Sequence, residues 1–192
     1  MNKGIPQEGV ILRIKPESQR ITLLDSVEGK RMLLFSSYAP VGALITYSAF
    51  TRLGIPRLVL HELCAVPLRI AAHSLCFLHY ALALCDVGIP LGSCVQEAYN
   101  ILAWLCQENA ILSSVQKDFF LAKLIMVLGL HTTQSYLCER CARVIRAMSV
   151  DTLSIVALEL DCCAHLPRWI QQCLEEYVVK AGYERASDKY AG

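Results

Sequence analysis

The hydrophobic period of this chain changes once, near Val66, and that change decides what it can fold into. Before it, apolar residues alternate in short runs; after it, they recur at helical spacing. Glu8 to Ile14 alternates around Val10, Leu12 and Ile14, Gln19 to Leu24 repeats the pattern, and Lys30 to Phe35 follows a Glu28-Gly29 turn signal. Ala43 to Phe50 and Arg57 to Leu60 add two more runs, separated by Gly54 and Pro56. Five short strands are too few for a two-sheet sandwich, and an open sheet would leave its edges unprotected. The expectation is a small closed or partly closed barrel over residues 1–62, with a meander backed by a single helix as the alternative.

From Val66 onward the reading is helical. Pro67 suits a first-turn position, and the segment to about Leu84 is apolar almost all round, so it should be buried on most faces. Gly88 and Pro90 break it. Ser93 with Gln96 forms a capping-box pattern for a second helix to about Gln107, whose inner side carries Val95, Tyr99, Leu102 and Leu105. Ser113 with Gln116 repeats the signal and opens a strongly apolar helix through Phe119, Phe120 and Leu124, which Gly129 should end as a left-handed cap. Tyr136 to Met148, Asp151 to about Cys163, and Pro167 to Lys180 read as three further helices. The fold class is therefore α+β: a five-stranded OB-like barrel over residues 1–62, followed by an all-α domain over 63–192.

Two uncharged runs test for membrane spans. Met32 to Thr51 is interrupted by Ser36, Ser37, Pro40 and Gly42 and reads as two strands and a turn. Ile70 to Cys85 contains His73 and His79 and falls short of the about 20 residues a bilayer requires, so it reads as a core helix. A hydrophobic content of 55% with 18% charged residues argues for a compact globule. The ten cysteines are scattered, several within apolar helical patterns, and Met1 to Glu8 is too polar for a signal peptide. A reducing, cytoplasmic setting without structural disulfides is expected.

No catalytic constellation is spelled out, and HExxH, GxSxG, phosphate-loop and dinucleotide patterns are all absent, so the chain does not read as an enzyme. Cys138 and Cys141 have the spacing of a zinc half-site, which His131, His165 and one of the adjacent Cys162 and Cys163 could complete. The expected reading is nonetheless no cofactor, with reduced, partly buried cysteines, and zinc is the alternative. Charge is more informative. Residues 1–60 hold eight Lys and Arg against four acids, a net +4, while the remainder holds ten against thirteen, a net −3. In the first part Arg13, Lys15, Arg20, Lys30, Arg31, Arg52 and Arg57 are interleaved with Phe35, Tyr38, Tyr47 and Phe50. Cations that track phosphates and rings that stack bases are what a small barrel needs to bind single strands.

The order of elements, together with FFLAKLIMVLGLHTTQSYLCERC, resembles the RecO family of recombination mediators, as a shortened, divergent member. In that family a phenylalanine-led helix ends in a leucine-leucine-glycine element and a short link reaches a Cys-x-x-Cys; the matching positions are Phe120, Leu124, Leu128, Gly129, Cys138 and Cys141. Gly9, Val10, Leu12, Arg13, Thr22, Leu23, Leu24 and Gly29 match the family's first two barrel strands. The resemblance implies a non-enzymatic repair protein that binds single-stranded and duplex DNA and anneals complementary strands. It further implies contacts with RecR and the single-strand-binding protein, and help in loading recombinase. Arg13, Lys15, Arg20, Lys30 and Arg31 are the expected phosphate contacts, with Arg143 and Arg146 extending them. The competing reading is a protein-interaction module, a chaperone or scaffold, that binds no nucleic acid.

Overall fold

The computed structural model describes residues 5–67, 72–107, 112–131, 137–147, 149 and 164–180. The chain divides into two compact units, Met1–Leu112 and Ser113–Gly192.

The first unit opens with β1 (Gln7–Lys15), β2 (Arg20–Asp25), β3 (Gly29–Leu34), β4 (Leu44–Arg52) and β5 (Ile55–Ala65). These close into a barrel in the order β1-β2-β3-β5-β4, OB-like as expected. All pairings are antiparallel except that of β3 with β5, a parallel bridge between Leu34 and Arg57. Strands β4 and β5 run to 9 and 11 residues.

Local chemistry sets the β2–β3 turn. The Asp25 carboxylate accepts the backbone N–H groups of Val27 and Glu28, both at 2.6 Å, so the side chain closes the turn that the backbone alone would leave open. Gly29 follows at φ +77°, and a Cβ there would lie 2.3 Å from the Ser93 carbonyl oxygen. Only glycine lets the strand start so close to another backbone.

Simple alternation along β1 would put Val10, Leu12 and Ile14 on one side. The structure corrects this, because a bulge lies between Ile11 and Arg13. Ile11 pairs with Leu23 and Ile14 with Ile21, all within or against the barrel interior, while Leu12 and Arg13 both fall outside it. Val10, Leu12, Leu24 and Leu44 are buried without belonging to that interior. Their cover is α1 (Ala72–Gly88) and α2 (Gln96–Gln107), which pack on β1, with α2 also reaching β4. A strand buried on both faces needs a second layer, so the compact unit extends to Leu112 where a boundary at residue 62 was expected. Residue 62 itself lies inside β5.

Helix α2 begins at Gln96, later than a capping box on Ser93 would place it. Gln96 donates instead to Asn100 Oδ1 at 3.0 Å. The preceding loop is committed to the barrel: Lys30 N–H donates to Ser93 O at 3.0 Å and Gly92 N–H to Lys30 O at 2.8 Å.

The second unit contains α3 (Ser114–Val127), α4 (Glu139–Ala147) and α5 (Leu166–Lys180), with α3 packed on both others. The expected capping box is formed at Ser113: its Oγ accepts Gln116 N–H at 3.2 Å, and its N–H donates to Gln116 Oε1 at 2.8 Å. Gly129, at φ +67°, ends the helix as expected, with Gly129 N–H on Met126 O and Leu130 N–H on Ile125 O. Phe119, Phe120, Leu124, Ile125, Cys141, Ile145, Trp169 and Cys173 are buried. The helix expected over Asp151 to Cys163 lies outside the described residues. Among those described, no helix is long and apolar enough to cross a membrane.

Candidate nucleic-acid interface

Residues paired across neighbouring strands point to the same side of the sheet, so register alone identifies what shares the barrel's outer surface. Lys15 pairs with Arg20, Arg20 with Leu34, Leu34 with Arg57, and Arg57 with Phe50. Their sequence neighbours Ile14, Ile21, Leu33, Leu58 and Ala49 all face the interior, which sends the row outward. Five residues from five strands thus form one belt, Lys15, Arg20, Leu34, Arg57 and Phe50, four strand spacings or about 19 Å long. Lys15 and Arg20 are exposed, and neither has an ion pair among the described residues. Arg52, also exposed, stands at the end of β4 beside Leu53, which is 92% exposed at the β4–β5 turn. Tyr38 is 85% exposed in the loop that leaves β3. The belt lies beside the β1–β2 and β4–β5 turns, the part of such barrels suited to oligonucleotides.

The other expected cations go elsewhere. Lys30 is buried: its Nζ lies 3.2 Å from Asp86 Oδ1, donates to Ile89 O at 2.9 Å and also donates to Asp86 O. It is an internal tie between β3 and the end of α1, and so no phosphate contact. Arg13, placed outward by the bulge, is half-exposed and pairs with the same carboxylate, Nε to Asp86 Oδ2 at 3.3 Å. Arg31 pairs with Leu23 and therefore sits on the inward side of β3. It is held by Glu28 Oε2 at 2.7 Å and Gln7 Oε1 at 3.2 Å. Nearby, the Tyr47 hydroxyl donates to Asp25 Oδ2 at 2.5 Å; burial first, then the Asp25 bond, raises the Tyr47 phenol well above its ordinary value. These groups close one end of the barrel in a polar network.

In the second unit, Arg143 and Arg146 are exposed on α4. Arg143 reaches Glu139 Oε1 at 3.2 Å, a solvated pair of small energetic weight. The two cysteines have different roles. Cys138 precedes the first turn of α4 and its Sγ accepts Cys141 N–H at 3.3 Å, the position and bond of an N-cap. Cys141 is buried in the core. Among the described residues no three His, Cys, Asp or Glu side chains converge to hold a metal ion, and Cys162 and Cys163 lie outside them. Cys64, Cys76, Cys85, Cys94 and Cys106 are thiols.

Arg57 and Phe50 carry the belt but were legible in the sequence only as part of a basic, aromatic composition. What makes them neighbours of Arg20 is the β3–β5 closure, which joins residues far apart in sequence. No protein-family model and no characterised protein matches this sequence.

Proposed function

We propose that this protein binds single-stranded nucleic acid along the outer belt of its barrel and acts as a non-enzymatic, RecO-like recombination mediator in DNA repair. The observation that carries this reading is the registered row Lys15, Arg20, Leu34, Arg57 and Phe50. Three cations at strand spacing offer phosphates a track, and Phe50 offers a base a stacking face, a contact worth about 1–3 kcal/mol. Leu34 supplies apolar surface between them. The sequence resemblance adds Arg143 and Arg146 of the helical unit as further phosphate contacts and supplies the biological role: annealing of complementary strands, binding of duplex DNA, and contacts with RecR and the single-strand-binding protein.

The test is fluorescence anisotropy with a labelled single-stranded oligonucleotide. Three phosphate contacts give a salt slope of about −2, so a fourfold rise in salt should weaken binding about 20-fold. Arg20→Glu and Arg57→Glu should each weaken binding at low salt about tenfold or more, and Phe50→Ala by about tenfold. Absence of binding at low salt, or binding indifferent to Arg20 and Arg57, would overturn the proposal. The second reading, a protein-interaction module, is favoured by the exposed apolar residues Leu53, Ile55, Val59 and Leu63 along and beside β5. Loss of nucleic-acid binding in every assay would leave that reading standing.

A further inference from the structure

We propose that the tip of the β4–β5 ribbon caps the end of a nucleic-acid duplex, so that the preferred ligand is a single strand emerging from a double-stranded segment; this rests on the single-strand reading of the belt. Strand β1 reaches β4 only as far as Tyr47, and β3 meets β5 only at Arg57. Beyond those points Thr51 pairs with Pro56 and Arg52 with Ile55. Among the described residues this last stretch of ribbon has no other strand partner, and it projects past its neighbours.

The tip is a two-residue turn, Leu53-Gly54, with both residues at positive φ, +53° and +75°. Such a turn matches the twist of the flanking strands, and asparagine, aspartate or glycine ordinarily opens it. Leucine is unfavourable there on two counts. Its Cβ crowds the backbone in the left-handed region, and its side chain, 92% exposed, holds apolar surface in water. A residue that disfavours the folded chain in both ways is accounted for by a contact made outside the barrel.

The surroundings of the tip select that contact. Register places Arg52 and Ile55 on the same side of the ribbon as Phe50 and Arg57, one pleat further out, so the belt continues along the ribbon to the turn. Arg52 is exposed with no ion pair among the described residues, and it offers a further phosphate contact beside Leu53. A strand held on the belt therefore meets, where it leaves, an apolar side chain next to a cation. Inside a duplex a leucine is covered only by parting stacked base pairs, which opposes binding. At a duplex end one face of the last pair is already open, and the same apolar contact forms without unstacking. A lone single strand offers Leu53 no such face. The ligand that engages the belt, Arg52 and Leu53 together is a duplex with a single-stranded overhang.

The experiment compares three labelled ligands by fluorescence anisotropy at one salt concentration: a single-stranded oligonucleotide, a blunt duplex, and that duplex carrying the oligonucleotide as an overhang. The overhang duplex should bind at least about tenfold more tightly than either of the others, the effect of covering one leucine side chain. Leu53→Asn installs the residue that the turn favours, so its urea midpoint should rise, which also reports that the variant folds. It should keep single-strand affinity within about twofold and lose the preference for the overhang. Arg20→Glu, which acts through the belt, should weaken the single strand and the overhang duplex by the same factor. A chain that binds the single strand but shows no preference for the overhang, or a preference that survives Leu53→Asn, overturns the proposal while the belt reading stands, and leaves the tip to a protein partner. A chain that binds none of the three ligands overturns both.

Discussion

Lys30 and Arg20 carry the same charge on adjacent strands and have opposite fates. The β2–β3 ladder faces both outward, but Lys30 lies under the α1–α2 connection and is neutralised by Asp86 and two backbone carbonyls, whereas Arg20 is open to solvent. Lys30→Met should therefore cost about 3 kcal/mol in a urea melt, because it leaves a buried carboxylate with Arg13 alone, and should change oligonucleotide affinity by no more than about twofold. Arg20→Glu should do the reverse. Buried thiols make a second residue-scale prediction. Desolvation pushes Cys85 and Cys106 from 9.0 up to about 12, opposed slightly at Cys85 by Lys30. The folded state holds these protons more tightly than the unfolded chain, so their contribution is complete below about pH 9 and is lost as pH rises toward 12, by up to about 1.4 kcal/mol per unit for each thiol. Urea midpoints measured from neutral to alkaline pH should fall beyond pH 9, and the Cys85→Ala, Cys106→Ala double variant should flatten that fall.

At the scale of elements, α4 separates two explanations of its cysteine pair. As an N-cap, Cys138 is replaceable by serine, which accepts the same N–H bond better, so Cys138→Ser should melt no lower than wild type and Cys138→Ala should lose about 1 kcal/mol. A thiolate metal ligand would be lost equally in both, and thermal melts of the two variants decide between them. Element type was widely legible. All five strands and the helices over α1 to α5 were marked by period, by glycine and proline, and by the Ser113 and Gly129 caps, each of which acts within a few residues. What escaped depends on distant partners. The bulge at Leu12 inverts the phase of β1 halfway along, and Ser93 loses its capping role because the loop around it pairs with Lys30. The candidate site was half legible for the same reason: Lys15 and Arg20 flank one tight turn, while Arg57 and Phe50 join them only through the barrel's closure.

For the molecule as a whole, the cover that α1 and α2 give the barrel predicts where it can be cut. A fragment of residues 1–112 should unfold in one cooperative transition and keep the part of the oligonucleotide affinity that depends on Arg20 and Arg57. A fragment of residues 1–62 should not fold, because Val10, Leu12, Leu24 and Leu44 would face water and β5 would be truncated. Circular dichroism melts of the two fragments check this. The barrel itself is closed by one residue pair, Leu34 with Arg57, while every other strand pair shares at least four. That seam should be where the barrel breathes, and amide hydrogen exchange should be fastest at the ends of β3 and β5 that form it. The cationic belt crosses the seam, with Arg20 and Lys15 on one side and Arg57 and Phe50 on the other. A polyanion lying along the belt would clasp the two sides together, so strand capture and barrel closure become a single linked equilibrium, and the slowing of exchange at the seam would report occupancy directly.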